Sequence, residues 1–327
     1  MLKVKNLTVS FQFDDGKKYK AIEDVAFSLK AGQTLGLVGE SGCGKSVTAL
    51  SILRLLPRPT ATIESGDIIF DEQNLATLAP ELLRKIRGRR ISMIFQEPMT
   101  ALNPVLKIYK QIAEIYAIHF PELSNAEVKT EIEEIFKRVG ISDIENKLNS
   151  YPHELSGGLR QRVMIAMALA CRPEILIADE PTTALDVTIQ AQILDLLREL
   201  QRDLGMAILF ITHDLGVVSE MCQDVAVMYA GEIVEYGTSE SIFKQPQHPY
   251  TNGLLRSIPT LDTPPRVALA VIKGQVPSLG KMPPGCRFQD RCERVQDLCR
   301  IQKPELLPHG STVARCHFPV GLGANNG

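Results

Sequence analysis

The sequence has no long apolar run and no large excess of charge of either sign. Its longest apolar run, Val163–Cys171, has nine residues, fewer than the roughly 20 that a membrane-spanning helix needs. Lys and Arg number 36 against 38 Asp and Glu, so bulk charge implies no attraction to nucleic acid or anionic lipid. The first residues contain no apolar stretch of the signal-peptide type. We therefore expect a soluble, cytoplasmic protein without a coiled coil or a disordered chain.

Composition changes along the chain. Its 327 residues suggest about two domains. Residues 246–327 hold eleven of the 20 prolines and four of the seven cysteines. Proline-rich runs such as 259–265 cannot continue a helix or a central strand. We predict a body over 1–245 and a small, irregular, cysteine-bearing C-terminal domain over 246–327.

Short apolar strands alternate with helical patterns in the body, which predicts an α/β fold with a mainly parallel sheet. The predicted strands are Thr34–Val38, Ile91–Phe95, Ile175–Ala178 and Ala207–Ile211. A helical subdomain is predicted at about 97–163. It has one helix with Ile108, Ile112 and Ile115 on a single face. Its second helix begins with a capping box at Ser124 and Glu127 and ends at Gly140.

A phosphate-binding loop follows the first of these strands. Residues 39–46 fit G-x-x-x-x-G-K-[ST], and the helix-compatible stretch Val47–Leu56 comes next. Such a loop surrounds a phosphate with backbone N–H groups, lysine adds a positive charge, and the hydroxyl of Ser46 can ligate Mg²⁺. The alternative is a glycine-rich turn between strand and helix. The predicted nucleotide contacts are Gly39, Ser41, Gly42, Cys43, Gly44, Lys45, Ser46 and Val47.

Two acids end the apolar strand at 175–178. Asp179 is predicted to hold Mg²⁺, and Glu180 to orient or deprotonate the attacking water. Taken by itself, this pattern could also come from two solvated acids at the end of a strand. The phosphate loop and the acids together, in this order, predict a nucleoside triphosphatase.

A second anion site is predicted where Ser156, Gly157 and Gly158 begin an amphipathic helix, because a helix N-terminus exposes N–H groups. Ser156 could instead serve only as an N-cap. Further landmarks support the first interpretation, since Gln96 and His213 each follow a predicted strand and Asp186 follows the paired acids.

With these motifs, residues 1–245 resemble the ATP-binding subunits of ABC transporters. The resemblance implies a P-loop domain with a mainly parallel core, an antiparallel β subdomain and a helical subdomain. It implies two such domains paired head to tail, each ATP lying between one phosphate loop and the other Ser-Gly-Gly helix. Gln96 would sense the γ-phosphate and contribute to the Mg²⁺ site, His213 would hold the attacking water, and Asp186 would lie at the dimer seam. Phe11 would stack on adenine, with Phe13 and Tyr19 as alternatives.

Three further features resemble the dipeptide and oligopeptide importers within this family. They are the segment from Gln96 to Pro104, the sequence His248-Pro249-Tyr250-Thr251, and four late cysteines. The resemblance implies an ATPase on the cytoplasmic face of the membrane with a second ATPase, more often a paralogue than a copy. Two permease subunits and, indirectly, a solute-binding protein complete the assembly. A nickel or other small-solute importer is the alternative in the same branch. Soluble ABC proteins acting on DNA or ribosomes, and an iron–sulfur regulatory module, are alternatives of other classes.

The late cysteines are Cys286, Cys292, Cys299 and Cys316, spaced C-x5-C-x6-C-x16-C. Disulfides do not suit a reducing cytoplasm, and structural zinc sites usually carry C-x2-4-C pairs, which this spacing lacks. Four thiolates on an irregular scaffold favour an iron–sulfur cluster, and the family resemblance points to a 4Fe–4S cluster. Zinc and unligated thiols remain alternatives. The basic run 84–90 has no interleaved aromatic residues, so we interpret it as a solvated loop rather than a nucleic-acid site.

Overall fold

The computed structural model describes residues 1–97, 101–183, 185–258 and 271–320. Three parts of the sequence predictions lie outside these residues: positions 98–100 of the loop after Gln96, Ala184 before Asp186, and the proline-rich run 259–265. No helix within the described ranges combines the length and the apolar character needed to cross a bilayer.

The strands are β1 (Leu2–Gln12), β2 (Lys18–Leu29), β3 (Thr34–Val38), β4 (Ala61–Phe70), β5 (Gln73–Asn74), β6 (Ile91–Ile94), β7 (Ile175–Asp179), β8 (Ala207–Thr212), β9 (Asp224–Tyr229), β10 (Glu232–Thr238), β11 (Leu306–His309) and β12 (Thr312–Arg315). The α-helices are α1 (Lys45–Ile52), α2 (Pro80–Ile86), α3 (Ile108–His119), α4 (Asn125–Arg138), α5 (Ile144–Asn149), α6 (Gly157–Leu169), α7 (Val187–Leu204), α8 (Leu215–Met221), α9 (Ser239–Lys244), α10 (Pro249–Arg256) and α11 (Asp297–Ile301).

The first of two compact units contains residues 1–29, 34–77 and the described residues from 212 onward. An antiparallel sheet in the order β2-β1-β4-β5 forms part of it. The strands β11-β12-β10-β9-β3 form a second layer, in which β3 runs parallel to β9 and the others are antiparallel. This unit carries the phosphate loop, which directly follows the fully buried strand β3.

The second unit contains residues 30–33 and the described residues of 78–211. Its strands run in the order β8-β7-β6 and are all parallel. Because their residues are buried on both faces, these strands consist almost entirely of apolar residues. Asp179 and Glu180 come at the carboxyl end of β7, which is where parallel sheets place their ligand sites.

The four predicted strands are confirmed, with boundaries shifted by at most one residue. The helix after the phosphate loop is shorter than predicted: α1 ends at Ile52 rather than near Leu56. Arg54 adopts a positive φ of 51°, which an α-helix cannot contain.

The helical prediction between 97 and 163 is confirmed for its two main helices. Ser124 and Glu127 form both hydrogen bonds of the capping box, and Gly140 ends α4 with a φ of 72°. In α3 the buried face holds Ile108, Ile112 and Tyr116, whereas Ile115 is only half-buried.

The described C-terminal residues are less irregular than predicted. β11 and β12 form a hairpin, and β12 pairs with β10 through Glu235 opposite Ala314. This tail therefore extends the sheet of the first unit. In the basic run, residues 84–86 end α2 rather than lying in a loop. Arg84, Lys85 and Arg89 are exposed, as predicted for a solvated surface, and Arg90 pairs with Glu174.

Candidate active site

Glycines give the phosphate loop a shape that other residues cannot adopt. Gly39 has a φ of 156°, and a Cβ there would lie 2.1 Å from the Met228 carbonyl oxygen. Gly44 has a φ of 108° and would place a Cβ 2.6 Å from Ile22. The backbone can therefore curl tightly before α1 begins at Lys45. This arrangement directs a helix N-terminus toward the loop, as anion binding requires.

Lys45 lies inside this loop. Its side chain is 5% exposed, and its Nζ donates hydrogen bonds to the carbonyl oxygens of Gly39 at 2.8 Å and Glu40 at 3.2 Å. Burial raises the pKa of the Cys43 thiol to about 11 despite the nearby Lys45 charge. The ammonium group is thus held at the loop, and Cys43 is a buried, protonated packing residue.

Two residues that contact this loop had no predicted role there. The Glu40 backbone N–H donates to the Tyr250 hydroxyl at 3.0 Å, and the Arg291 guanidinium pairs with the Glu40 carboxylate. Tyr250 belongs to the His248–Thr251 motif, which could have drawn attention to it. Arg291 had no signal beyond its position beside Cys292.

Several predicted residues of the second unit meet at Glu180. Glu180 adopts a φ of 47°, and its N–H donates to the carbonyl of Ile211. Its Oε2 accepts hydrogen bonds from Gln96 Nε2 at 3.2 Å and Thr183 Oγ1 at 2.9 Å. Asp179 is buried directly before it. The arrangement holds one carboxylate in a defined direction beside a glutamine amide, which suits a group that orients water.

The helix beginning at Ser156 packs against the helix beginning after Asp186. Ser156 Oγ accepts from the Leu159 N–H at 3.4 Å, so it is the N-cap, and Asp186 caps α7 by accepting from the Ile189 N–H at 3.0 Å. A Cβ on Gly158 would lie 3.1 Å from Ile189. Because the N-cap role does not consume the N–H groups of Gly157 and Gly158, the anion site remains compatible with it.

His213 is an exposed residue of the first unit, between β8 and α8. The next residue, Asp214, caps α8 by accepting from the N–H groups of Gly216 and Val217, and its own N–H donates to Thr212. Local hydrogen bonds thus fix the backbone on either side of the imidazole.

The three candidate adenine-stacking rings lie in one hairpin. Phe11 on β1 is directly opposite Tyr19 on β2, and Phe13 packs edge-to-face on Tyr19 with ring centroids 5.5 Å apart. Tyr19 also packs against Gly280. Phe13 is 47% exposed, whereas Phe11 and Tyr19 are half-buried.

All four late cysteines line one small cavity, together with Phe288, Phe318 and His317 among others. Burial, with smaller contributions from the neighbouring thiols of this cavity, raises the pKa of Cys286 to about 12. Burial likewise raises the pKa of Cys316 to about 11. Within the described ranges, no group of three or more His, Cys, Asp or Glu side chains is arranged to hold a metal ion. The described residues therefore place the four cysteines around one cavity without an arrangement that identifies a metal site.

Comparisons with known proteins match two family models. Residues 22–183 match the model described as "ABC transporter", and residues 234–299 match "Oligopeptide/dipeptide transporter, C-terminal region". The oligopeptide transport ATP-binding protein AppD of Bacillus subtilis is 48% identical over 326 residues, which cover 99% of this chain and 98% of that protein. The dipeptide transport ATP-binding protein DppD of Bacillus subtilis is 49% identical over 317 residues, covering 97% and 94%.

A similar fold occurs in the ATP-binding cassette MJ0796, whose dimeric post-hydrolysis state was solved with ADP and Pi bound. The TM-score is 0.65 at 28% identity, and the match covers 73% of this chain and 99% of that one. The matched share leaves about a quarter of the present chain without a counterpart in that cassette.

Proposed function

The chain belongs to the ATP-binding subunits of ABC transporters, and from that premise we propose that it hydrolyses ATP to power an importer of di- and oligopeptides. Relatives that are nearly half identical over almost the whole chain carry oligopeptide and dipeptide transport in their names. The observation that carries the choice of cargo is the match of residues 234–299 to the oligopeptide/dipeptide C-terminal region.

The phosphate loop would bind the triphosphate. Its backbone N–H groups and the N-terminus of α1 would face the phosphates, and Lys45 would add a positive charge beside the β- and γ-phosphates. Mg²⁺ would be held by the Ser46 hydroxyl, by Gln96 and by Asp179, which are oxygen donors of the kind that this ion prefers. The remaining contacts with the nucleotide would come from Gly39, Ser41, Gly42, Cys43, Gly44 and Val47, with Phe11 stacked on adenine.

Glu180 would orient the attacking water and accept its proton. The hydrogen bonds from Gln96 and Thr183 hold its carboxylate, and a positioned base of this kind contributes about 10²–10⁴ in rate. Gln96 would sense the γ-phosphate. His213 would contact the γ-phosphate and hold the attacking water. The loop after Gln96 would carry that signal toward the permeases.

Each site would be completed by a second ATPase subunit, because Ser156, Gly157 and Gly158 present a helix N-terminus suited to the γ-phosphate of a partner's nucleotide. Asp186 would lie at the seam. The relative solved with ADP and Pi is dimeric. We propose a paralogous ATPase as the partner, with two permeases at the cytoplasmic face of the membrane and a solute-binding protein delivering cargo.

We also propose that residues 1–245 form the ATPase domain, with its helical subdomain at about 97–163, and that residues 246–327 bind a 4Fe–4S cluster through Cys286, Cys292, Cys299 and Cys316. The shared cavity supports this proposal. Thiolates are required for ligation, and iron would supply the positive charge that lowers the raised thiol pKa values. The cluster would stabilise a segment too small for a core of its own.

The substitution Glu180→Gln tests the enzymatic part. It keeps the size of the side chain and removes the base, so ATP should still bind while turnover falls by about 10²–10⁴. Steady-state hydrolysis and equilibrium binding of ATP measure the two effects. Glu199→Gln, at an exposed position of α7, is the matched control and should leave both unchanged. Hydrolysis by Glu180→Gln near the wild-type rate would show that Glu180 is not the base.

The same variant tests the transport part. Tagged Glu180→Gln protein should lock in the ATP-bound dimer and can be recovered from native membranes in ATP. Co-purification of two polytopic membrane proteins and a second ATPase supports the importer. Recovery of soluble protein or nucleic acid alone would move the function to another branch of the family.

A further inference from the structure

Glu40 places a negative charge inside the loop that is proposed to bind a triphosphate. It follows Gly39 directly, and its carbonyl oxygen lies 3.2 Å from the Lys45 ammonium. Its charge acts on the loop, since it contributes to the raised pKa of Cys43. A free carboxylate at this position would repel the anionic ligand.

Arg291, from the tail segment between Cys286 and Cys292, neutralises this carboxylate. Its Nη1 and Nη2 donate to the two carboxylate oxygens of Glu40 at 2.5 and 2.9 Å. The Arg291 side chain is 5% exposed and that of Glu40 is 30% exposed. Two parallel charge-assisted hydrogen bonds fix the direction of the carboxylate as well as offsetting its charge.

The guanidinium of Arg291 is itself held in place by the tail and by β9. Its Nε donates to the Lys273 carbonyl at 3.0 Å, its Nη2 also donates to the Ile272 carbonyl at 3.1 Å, and it lies over the Tyr229 ring. Tyr229 packs on Tyr250, whose hydroxyl accepts the Glu40 N–H. Both the side chain and the backbone of Glu40 are therefore held by residues outside the loop.

We propose that Arg291 is a positioning residue for nucleotide binding: it neutralises the Glu40 carboxylate and holds it in a fixed direction, so that the loop accepts a triphosphate. The proposal rests on the proposed nucleotide site at residues 39–46. It assigns to the cysteine-bearing tail a direct influence on ATP affinity.

The test is equilibrium binding of a fluorescent ATP analogue with Mg²⁺ in the Glu180→Gln background. Arg291→Met keeps the apolar stem but leaves Glu40 charged and unpaired, so affinity should fall about tenfold, within the usual range of coupling between sites. Adding Glu40→Gln removes the repulsive charge and should restore affinity to within about threefold of the parent. Arg256→Met, at an exposed arginine of α10 whose ion pair with Glu293 has a distance of 3.9 Å, is the matched control and should bind like the parent.

Parent-like binding by Arg291→Met overturns the proposal, as does a double variant that binds as weakly as Arg291→Met. The melting temperature without nucleotide distinguishes a purely structural role of Arg291 from a role in nucleotide binding. A purely structural role would lower stability but leave the affinity of the folded protein for nucleotide unchanged. If Arg291→Met does not fold, Arg291→Lys takes its place, with a loss of about threefold that Glu40→Gln reverses. Lys45→Ala distinguishes failure of the Arg291 proposal from failure of the nucleotide site. Unchanged binding in Lys45→Ala refutes the nucleotide site itself.

Discussion

His248 is a fully buried histidine that caps α10. Its Nδ1 accepts a hydrogen bond from the Tyr250 N–H at 3.0 Å, so the unprotonated nitrogen has a structural role. Burial lowers the pKa of His248 to about 3, although a hydrogen bond with the Arg315 backbone partly opposes this shift. Glu235, whose pKa is raised by burial, accepts the N–H groups of Gln247 and His248. The imidazole of His248 is therefore neutral in the folded protein.

This histidine makes stability depend on pH. Because its pKa is lower in the folded state than the ordinary value of 6.5, the unfolded chain binds the extra proton. The stabilising contribution is complete above pH 6.5 and is lost as the pH falls toward 3, with a slope approaching ~1.4 kcal/mol per pH unit. His248→Asn keeps an N-cap acceptor and should flatten this part of the profile. Denaturant unfolding between pH 7 and pH 4 measures it, and equal slopes in the two proteins would contradict the assignment.

At the scale of elements, α6 is the helix that connects the predicted anion site to the carboxylate proposed as the base. It begins at the Ser156 cap, and its buried Gln161, 2% exposed, donates from Nε2 to the Pro181 carbonyl. Pro181 directly follows Glu180. One helix thus carries Gly157 and Gly158 at its end and fixes the backbone beside Glu180 one turn later.

Gln161→Leu should loosen this connection. The buried Pro181 carbonyl loses its partner, which costs about 1–3 kcal/mol of stability, and the direction of Glu180 becomes less defined. We expect kcat to fall several-fold while KM for ATP changes little. Gln302→Leu, at an exposed position after α11, controls for the change of side chain. Equal changes in kcat for the two variants would show that α6 does not position Glu180.

At the scale of the molecule, the tail is attached to the rest of the first unit through charged residues that lie beside its cysteines. Arg287, next to Cys286, pairs with Glu23 and Glu232 and donates to the Ala230 carbonyl. The residue after Ala230, Gly231, donates its backbone N–H to the Cys43 carbonyl in the phosphate loop at 2.8 Å. Burial raises the pKa of Glu23, but Lys20, Lys303 and Arg287 together lower it to about 2.

The proposed 4Fe–4S cluster would stabilise the whole tail. Protein purified without oxygen should contain about four irons and four sulfides and absorb broadly near 400 nm. Cys299→Ser should remove this absorbance and lower the melting temperature. Cys222→Ser, in the first unit but outside the cavity, should keep the absorbance. Anaerobic protein with neither iron nor sulfide would refute the cluster.

The chemistry of the site could be predicted from sequence where a function depends on consecutive residues. A phosphate loop needs particular residue types at fixed spacing, and so do a strand that ends in two acids and a helix that begins with Ser-Gly-Gly. These patterns predicted the α/β fold, the strands at 34–38 and 175–178 and the capping box of α4. Helix lengths were less accurate, because the end of α1 depends on the left-handed conformation of Arg54 rather than on apolar spacing.

The sequence by itself therefore determined the family, the reaction and the residues proposed to carry it, because those properties are encoded in local patterns. Tertiary structure alone decided which distant residues support them. Arg291 reaches Glu40 across 251 positions of the chain and Tyr250 reaches it across 210, and β12 joins the sheet beside β10. No local spacing predicts such pairs, since a buried arginine has the same sequence pattern as a solvated one until the fold brings its carboxylate within hydrogen-bond distance.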